Sequence, residues 1–290
     1  MKLLLKFNLM FVLVFAAGLA ATAWIARDLL RTNAEAEVVG NARLLMEKAV
    51  ASRSFTANQI APLLQTQMQD TFLPQSVPAF VATEVLGELR KNYPEFSYKE
   101  ATLNPTNPRD RALEWEADLI EQFRNTTTLT EYVGQRDTPL GRSLFIARPI
   151  RITNPACLRC HSTPDAAPAP MVAKYGNGNG FGWNMNEVVG AQVVSVPMDV
   201  PFARAEKTFG VFMWLIVAVF VTIGAVLNVL LWTLVIRPVT RLSALADRVS
   251  LGELEAPEFE TKSGDEIGVL ADSFGRMRKS LVQAMKMLES

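Results

Sequence analysis

Cys157, Leu158, Arg159, Cys160 and His161 bring together the two cysteines and the one histidine of this 290-residue chain. Two thiols separated by two residues, with an imidazole directly after, form the pattern of c-type haem attachment. The chemistry dictates the spacing. The thiols add across the two vinyl groups of one porphyrin, and the adjacent imidazole reaches the iron as proximal ligand. Other uses of these residues fit less well. A Cys157–Cys160 disulfide leaves the neighbouring histidine without a role. A thioredoxin-like redox pair shares the spacing but needs a βαβ setting that this sequence does not supply. A zinc site needs more ligands, and no further Cys or His is present. The motif predicts one haem c per chain, attached through Cys157 and Cys160 and ligated by His161.

The sixth iron position stays open. With no second histidine and no third cysteine, bis-His and His/Cys ligation within one chain are excluded. Methionine is the commonest remaining ligand, and the segment around the motif holds Met46, Met68, Met171, Met185 and Met198. Met46 lies in an apolar helical stretch and Met171 follows a Pro-rich stretch just after the motif, so these two are the candidates. Methionine also fills irregular core gaps, the blander use of any one of them. A water-bound or five-coordinate iron is the alternative, and suits gas sensing better than electron transfer. Arg53, Tyr175 and Trp183 are further residues that could line the haem, sit in the core or lie at the surface.

The elements that position the motif begin with two apolar runs. Residues 7–26 follow Lys2 and Lys6 and stop at Arg27 and Arg31; residues 209–236 contain no charge and close at Arg237 and Arg241. Each meets the roughly 20 helical residues needed to cross a bilayer. Ala21-Thr22-Ala23 resembles a signal-peptide cleavage site, but the first run exceeds the ~7–15 residues of a signal h-region, so an uncleaved anchor is expected. The basic flanks place both termini in the cytoplasm and residues 27–208 outside, in the bacterial inner membrane. That agrees with haem attachment, which takes place outside the cytoplasm. Lys and Arg number 29 against 29 Asp and Glu. Such a balance gives no basic field for nucleic acid.

In the exported segment, residues 34–69 read as a long helix, with Val38, Leu44, Leu45, Ala49, Phe55 and Ile60 at helical spacing and Pro62 as a kink or restart. Residues 113–123 read as an amphipathic helix entered through Asn104-Pro105-Thr106-Asn107-Pro108. Residues 144–152 and 188–196 are β-branched and aromatic runs, expected as strands on either side of the motif. The segment Tyr175-Gly176-Asn177-Gly178-Asn179-Gly180-Phe181-Gly182-Trp183 has the glycines of a phosphate loop but no following helix start with a lysine, so a hairpin is the simpler reading.

Taken in order, residues 42–46 through Ala61-Pro62-Leu63-Leu64, Asn104-Pro105 to Trp115-Glu116, Cys157–His161, Phe181-Gly182-Trp183 to Gly190-Ala191-Gln192, and Val196-Pro197 resemble a known family. It is the exported, PAS-like haem c sensor domains that include cyanobacterial c-haem proteins. The resemblance covers most of residues 35–200. It implies an α+β fold, a PAS-like antiparallel sheet flanked by helices with a haem on its concave face, and it carries attachment to Cys157 and Cys160 and ligation to His161. Some members offer a cysteine as second axial ligand; this chain has none.

Residues 237–290 read as a cytoplasmic all-α unit. Val239, Leu242, Ala246 and Val249 form one coiled-coil stripe, Gly252-Glu253-Leu254 breaks it, residues 253–263 connect, and Asp265-Glu266 open a second helix. Its stripe is Ile267, Leu270, Phe274, Met277, Leu281, Ala284 and Leu288. Pro238, Asp265-Glu266-Ile267-Gly268, Phe274 and Met277 resemble a HAMP domain, which implies a parallel four-helix bundle built by a homodimer. Two helices with one apolar stripe each cannot bury that stripe alone.

These readings predict a two-pass membrane protein that senses redox state or a small haem ligand and relays through HAMP. No kinase, cyclase or methyl-accepting segment follows within the sequence, so a signalling partner in trans is expected. A membrane-anchored electron-transfer cytochrome is the second reading. An enzyme is not expected, because peroxidase-type chemistry needs a distal acid–base group and no second histidine exists to serve as one.

Overall fold

The computed structural model describes residues 3–139, 141–253 and 264–289; most of the expected connector at 253–263, and the side chain of Leu288, lie outside the described residues. The chain divides into two units, residues 27–208 and residues 1–26 with 209–290.

The first helix, α1 (Leu3–Phe55), contributes to both units and is followed by a π-helical turn, Thr56–Ile60, and a short restart, α2 (Ala61–Leu64). Pro62 accounts for the interruption, since its ring clashes with a carbonyl one turn back and it donates no hydrogen bond. Then come α3 (Pro78–Asn92), β1 (Ser97–Thr102), α4 (Glu114–Asn125), β2 (Tyr132–Thr138) and β3 (Gly141–Arg151). The Cys-Cys-His motif runs from the 3-10 turn Pro155–Cys157 into α5 (Leu158–His161), followed by α6 (Ala169–Tyr175) and β4 (Val188–Pro197).

The four strands form one antiparallel sheet in the order β1-β4-β3-β2. Side chains alternate across a strand, and β3 shows it: Leu144 and Ile146 enter one cluster, Phe145 and Ala147 the other. On the first face Val38, Ala42, Leu45, Met46 and Ala49 of α1, at helical spacing, pack with Ala82 and Leu86 of α3 against Leu144, Ile146, Val194 and Val196. On the second, Leu119, Ile120 and Phe123 of α4 cover Phe145, Ala147, Val188, Ala191 and Val193. The register slips between Ile150 and Arg151. A bulge of this kind bends a strand and re-aims the chain beyond it, here the excursion of residues 152–187 that carries the motif. Its base is tied by Ile152 N donating to Glu187 O at 3.0 Å and Asn186 N to Ile152 O at 2.8 Å.

In the other unit, α7 (Asp199–Leu230) is followed by a π-helical stretch, Leu231–Ile236, then α8 (Arg237–Ser250) and α9 (Glu266–Glu289). The parts of α1 and α7 in this unit pack on each other. Asn8 and Asn228 exchange side-chain hydrogen bonds of 2.8 and 2.7 Å, Phe15 meets Phe220 edge-on at 4.3 Å, and Phe11 lies over Gly224. Both helices are long and apolar enough to cross a membrane. The Asn8 amide is thus the partner that Asn228 requires among apolar residues. Asn228→Leu is expected to weaken the pair by about 1 kcal/mol, the range of interhelical polar bonds in bilayers. A double-mutant cycle with Asn8→Leu, read by unfolding in detergent, checks it; full additivity would refute a coupled pair.

In the C-terminal part Leu242 and Val249 of α8 and Ala271 of α9 are buried, with Ile267 and Phe274 half-buried. Asp265 caps α9 as expected, accepting from the backbone N–H of Ile267 at 3.0 Å and Gly268 at 3.2 Å. The rest of the α9 stripe, Leu270, Met277 and Leu281, stays exposed in a single chain.

Candidate haem site

The motif is presented by a helical turn that local sequence specifies. Asn154 accepts from Ala156 N–H at 2.9 Å and Pro155 stands in the first helical turn, so the chain enters a helix just ahead of Cys157. Cys157, Cys160 and His161 then occupy positions i, i+3 and i+4, which share one helix face. Both thiols are free and half-buried. Burial pushes the Cys160 thiol up, against Arg159.

The second half of the excursion orients the imidazole. His161 Nδ1 donates to the backbone carbonyl of Gly180 at 2.7 Å, which leaves Nε2 as the free lone pair. The Trp183 ring stacks on the imidazole with centroids 3.9 Å apart and planes 12° from parallel. Trp183 N–H donates to His161 O at 3.1 Å and Gly182 N–H to Ser162 O at 2.9 Å, fixing the two segments to each other. Burial lowers the His161 pKa, opposed by the Gly180 carbonyl, which favours the neutral ring that a metal ligand uses.

Asn104 supports that loop from the end of β1. Its side chain donates to Phe181 O at 3.1 Å and accepts from Gly180 N–H at 3.0 Å, while Thr106 Oγ1 lies 3.4 Å from His161 Nδ1. Residues 176–183 are therefore not the hairpin the Asn-Gly pairs suggest. They form an irregular loop whose long-range hydrogen bonds go to Asn104, Ser162 and His161, partners from other segments that fix its path. Gly180 has φ +85°, and a Cβ there would meet Thr106 Oγ1 at 2.0 Å and Thr106 Cα at 2.8 Å. Gly180→Ala is expected to lose about 2 kcal/mol, combining left-handed strain with a clash. Thermal unfolding checks it, and a melting temperature equal to wild type would show that the loop yields freely.

The methionine candidates fall in different places. Met46 is fully buried and, with Met198, belongs to the α1-face cluster, none of whose members comes from residues 155–183. Met171 is buried on α6, Met185 is exposed, and Met68 Sδ accepts from Leu73 N–H at 3.1 Å. Tyr175 meets Phe72 edge-on at 5.6 Å. Arg53 pairs with the buried Glu100. Near it, burial raises the Asp110 carboxyl to about 6, against the pull of Arg109.

The donor set suits a covalent haem: two free thiols on one helix face and an imidazole with Nε2 free. Among the described residues no group of three or more His, Cys, Asp or Glu side chains could hold a bare metal ion. Asn104 and Thr106 are the site residues whose role the sequence alone conceals, since only their place in a turn-rich entry marks them.

A mixed domain with one antiparallel sheet and a half-buried Cys-Cys-His turn, on a chain with two apolar helices and a C-terminal helix pair, fits a membrane-anchored signalling protein. A family model described as Tll0287-like matches residues 31–197, and the chain belongs to that family. A HAMP domain model matches residues 230–283. A crystal structure of the cyanobacterial heme-protein Tll0287 is similar at 19% identity over 56% of this chain and 95% of that one, with a TM-score of 0.42. No curated protein matches the chain.

Proposed function

We infer that this chain is a two-pass inner-membrane haem sensor with one covalent haem c in a periplasmic, PAS-like domain and a cytoplasmic HAMP relay that works as a homodimer on a partner in trans. The observation that carries this reading is the preset imidazole. His161 Nδ1 is engaged by Gly180 O and its ring is stacked on Trp183, with both thiols on the same helix face. The Tll0287-like match and the HAMP match on one chain support it. When bound, the haem supplies a one-electron couple and an iron site for small ligands. The protein's part is to hold the ring plane through Trp183 and to tie residues 180–183 to β1 through Asn104. A change in charge or ligation at His161 Nε2 then bears on a loop anchored to the sheet. A ligand or electron shifts signalling only by the difference in its interaction with the two states. The protein acts as a transducer, not a catalyst.

Optical spectra of the full-length chain from a c-haem-competent host test the reading. Covalent haem is expected on a denaturing gel, and the oxidised and reduced forms are expected to differ in cytoplasmic output when reconstituted with the partner. A reduced spectrum altered by carbon monoxide assigns the stimulus to a gas; one unaltered assigns it to redox state. Absence of covalent haem refutes the reading. Fast electron exchange with no change in output would favour the electron-transfer cytochrome instead.

A further inference from the structure

The glycine-rich segment after α6 holds two identical triads, Gly176-Asn177-Gly178 and Gly178-Asn179-Gly180. An asparagine before glycine is chemically self-reactive. The following backbone nitrogen can attack the side-chain amide, since glycine carries no Cβ to hinder the approach. Identical neighbours give the two asparagines the same intrinsic reactivity, so the fold alone sets them apart. Both asparagines are exposed. Their glycines are not alike. Gly180 is buried, its N–H donates to Asn104 Oδ1 at 3.0 Å, and its carbonyl accepts from His161 Nδ1 at 2.7 Å. That peptide is pinned on both sides and cannot turn its nitrogen toward Asn179. Gly178 is exposed, and beyond its chain neighbours no atom lies within 4 Å of where a Cβ would stand. Among the described residues nothing accepts from its N–H.

We propose that Asn177 is a site of spontaneous deamidation and isoaspartate formation, and that the Asn104 and His161 bonds of Gly180 shield Asn179 from the same reaction. Gly178 N loses its proton to solvent hydroxide and attacks Asn177 Cγ. The Cγ–Nδ2 bond breaks, ammonia leaves with a proton returned by water, and a cyclic succinimide closes. Water then opens the ring at one of its carbonyl carbons. Opening at Cγ gives aspartate; opening at the main-chain carbonyl gives isoaspartate, which lengthens the backbone by a methylene. Either route consumes a water and releases an ammonia, and residue 177 gains a negative charge. No enzyme, metal or oxidant is required. The product sits just ahead of Gly180, on the loop that orients His161. The proposal stands apart from the haem reading, because no atom of the reaction comes from the haem or its attachment residues.

The test follows the full-length chain, matured in a c-haem-competent host and purified in detergent, during storage at mildly alkaline pH. Peptide mapping by mass spectrometry reads the amide-to-acid mass gain at each asparagine, and enzymatic methylation of isoaspartate labels the rearranged product. In the folded chain Asn177 is expected to react about tenfold or more faster than Asn179, the effect on a barrier of one retained hydrogen bond. In denaturant the two rates are expected to converge. Gly178→Ala, which the open space around Gly178 accommodates, is expected to slow Asn177 and to leave Asn179 shielded. Equal rates in the folded chain, a faster Asn179, or an Asn177 that folding protects as fully as Asn179 overturns the proposal. So does an Asn177 that reacts undiminished in Gly178→Ala, which would place the reaction outside the succinimide route.

Discussion

A Cys157→Ser/Cys160→Ser variant is expected to reach the membrane in normal amount and to carry no covalent haem, a complete loss on a haem-stained denaturing gel. The two cysteines are the only thiols of the chain, and neither has another structural task, since both are free and half-buried. Serine keeps the helical turn because the Asn154 cap and Pro155 specify it, not the thiols. His161 retains its Gly180 bond in this variant. Signalling should then fall to the level of a His161→Ala variant. Persistent signalling in the haem-free protein would remove the haem from the mechanism.

Met277→Glu/Leu281→Glu is expected to turn a dimer into a monomer and abolish relay. Met277 is 60% and Leu281 44% exposed in one chain, on the same stripe as the exposed Leu270. Ala271, Ile267 and Phe274 face inward instead. A second copy would cover the exposed half of the stripe, and buried unpaired carboxylates there cost several kcal/mol. Sedimentation velocity of the full-length chain in detergent checks it. A variant that still sediments as a dimer would move the association to other helices.

The strongest signals in the sequence are those with one physical meaning. Charge-free runs, the Cys-Cys-His spacing and the three-four stripe of α9 each correspond to a described element or turn. β3 and β4 are legible because they are central strands whose middle stretches, Leu144 to Ala147 and Val188 to Val194, are buried on both faces, which makes those stretches mostly apolar. The edge strands are not. β1 reads Ser-Tyr-Lys-Glu-Ala-Thr, and among its polar residues Tyr98 and Glu100 bond to Gln192 and Arg53 while Lys99 holds the buried Glu116 at 2.6 Å. β2 alternates half-buried and exposed positions along its whole length, so no apolar run announces it. α3 is also missing from the sequence reading, although Pro78 at its first turn is a helix-start signal. At the site, the imidazole's partners come from residues 104–106 and 180–183. They lie far apart in sequence, and no local pattern encodes their meeting.

The π-helical stretch Leu231–Ile236 has an arithmetic of its own. An α-helix advances about 100° per residue, and a π-turn accommodates one residue in excess of the α pattern. The apolar stripe of α8 is therefore offset by about a quarter of a revolution from where an unbroken α7 would aim it. Such an offset is discrete: it is present with the extra residue in the turn and vanishes when the turn reverts to α geometry. On the proposed relay, a signal passed from α7 to α8 through this turn would come in indexed steps of rotation, like the click of a dial, in place of a continuous twist.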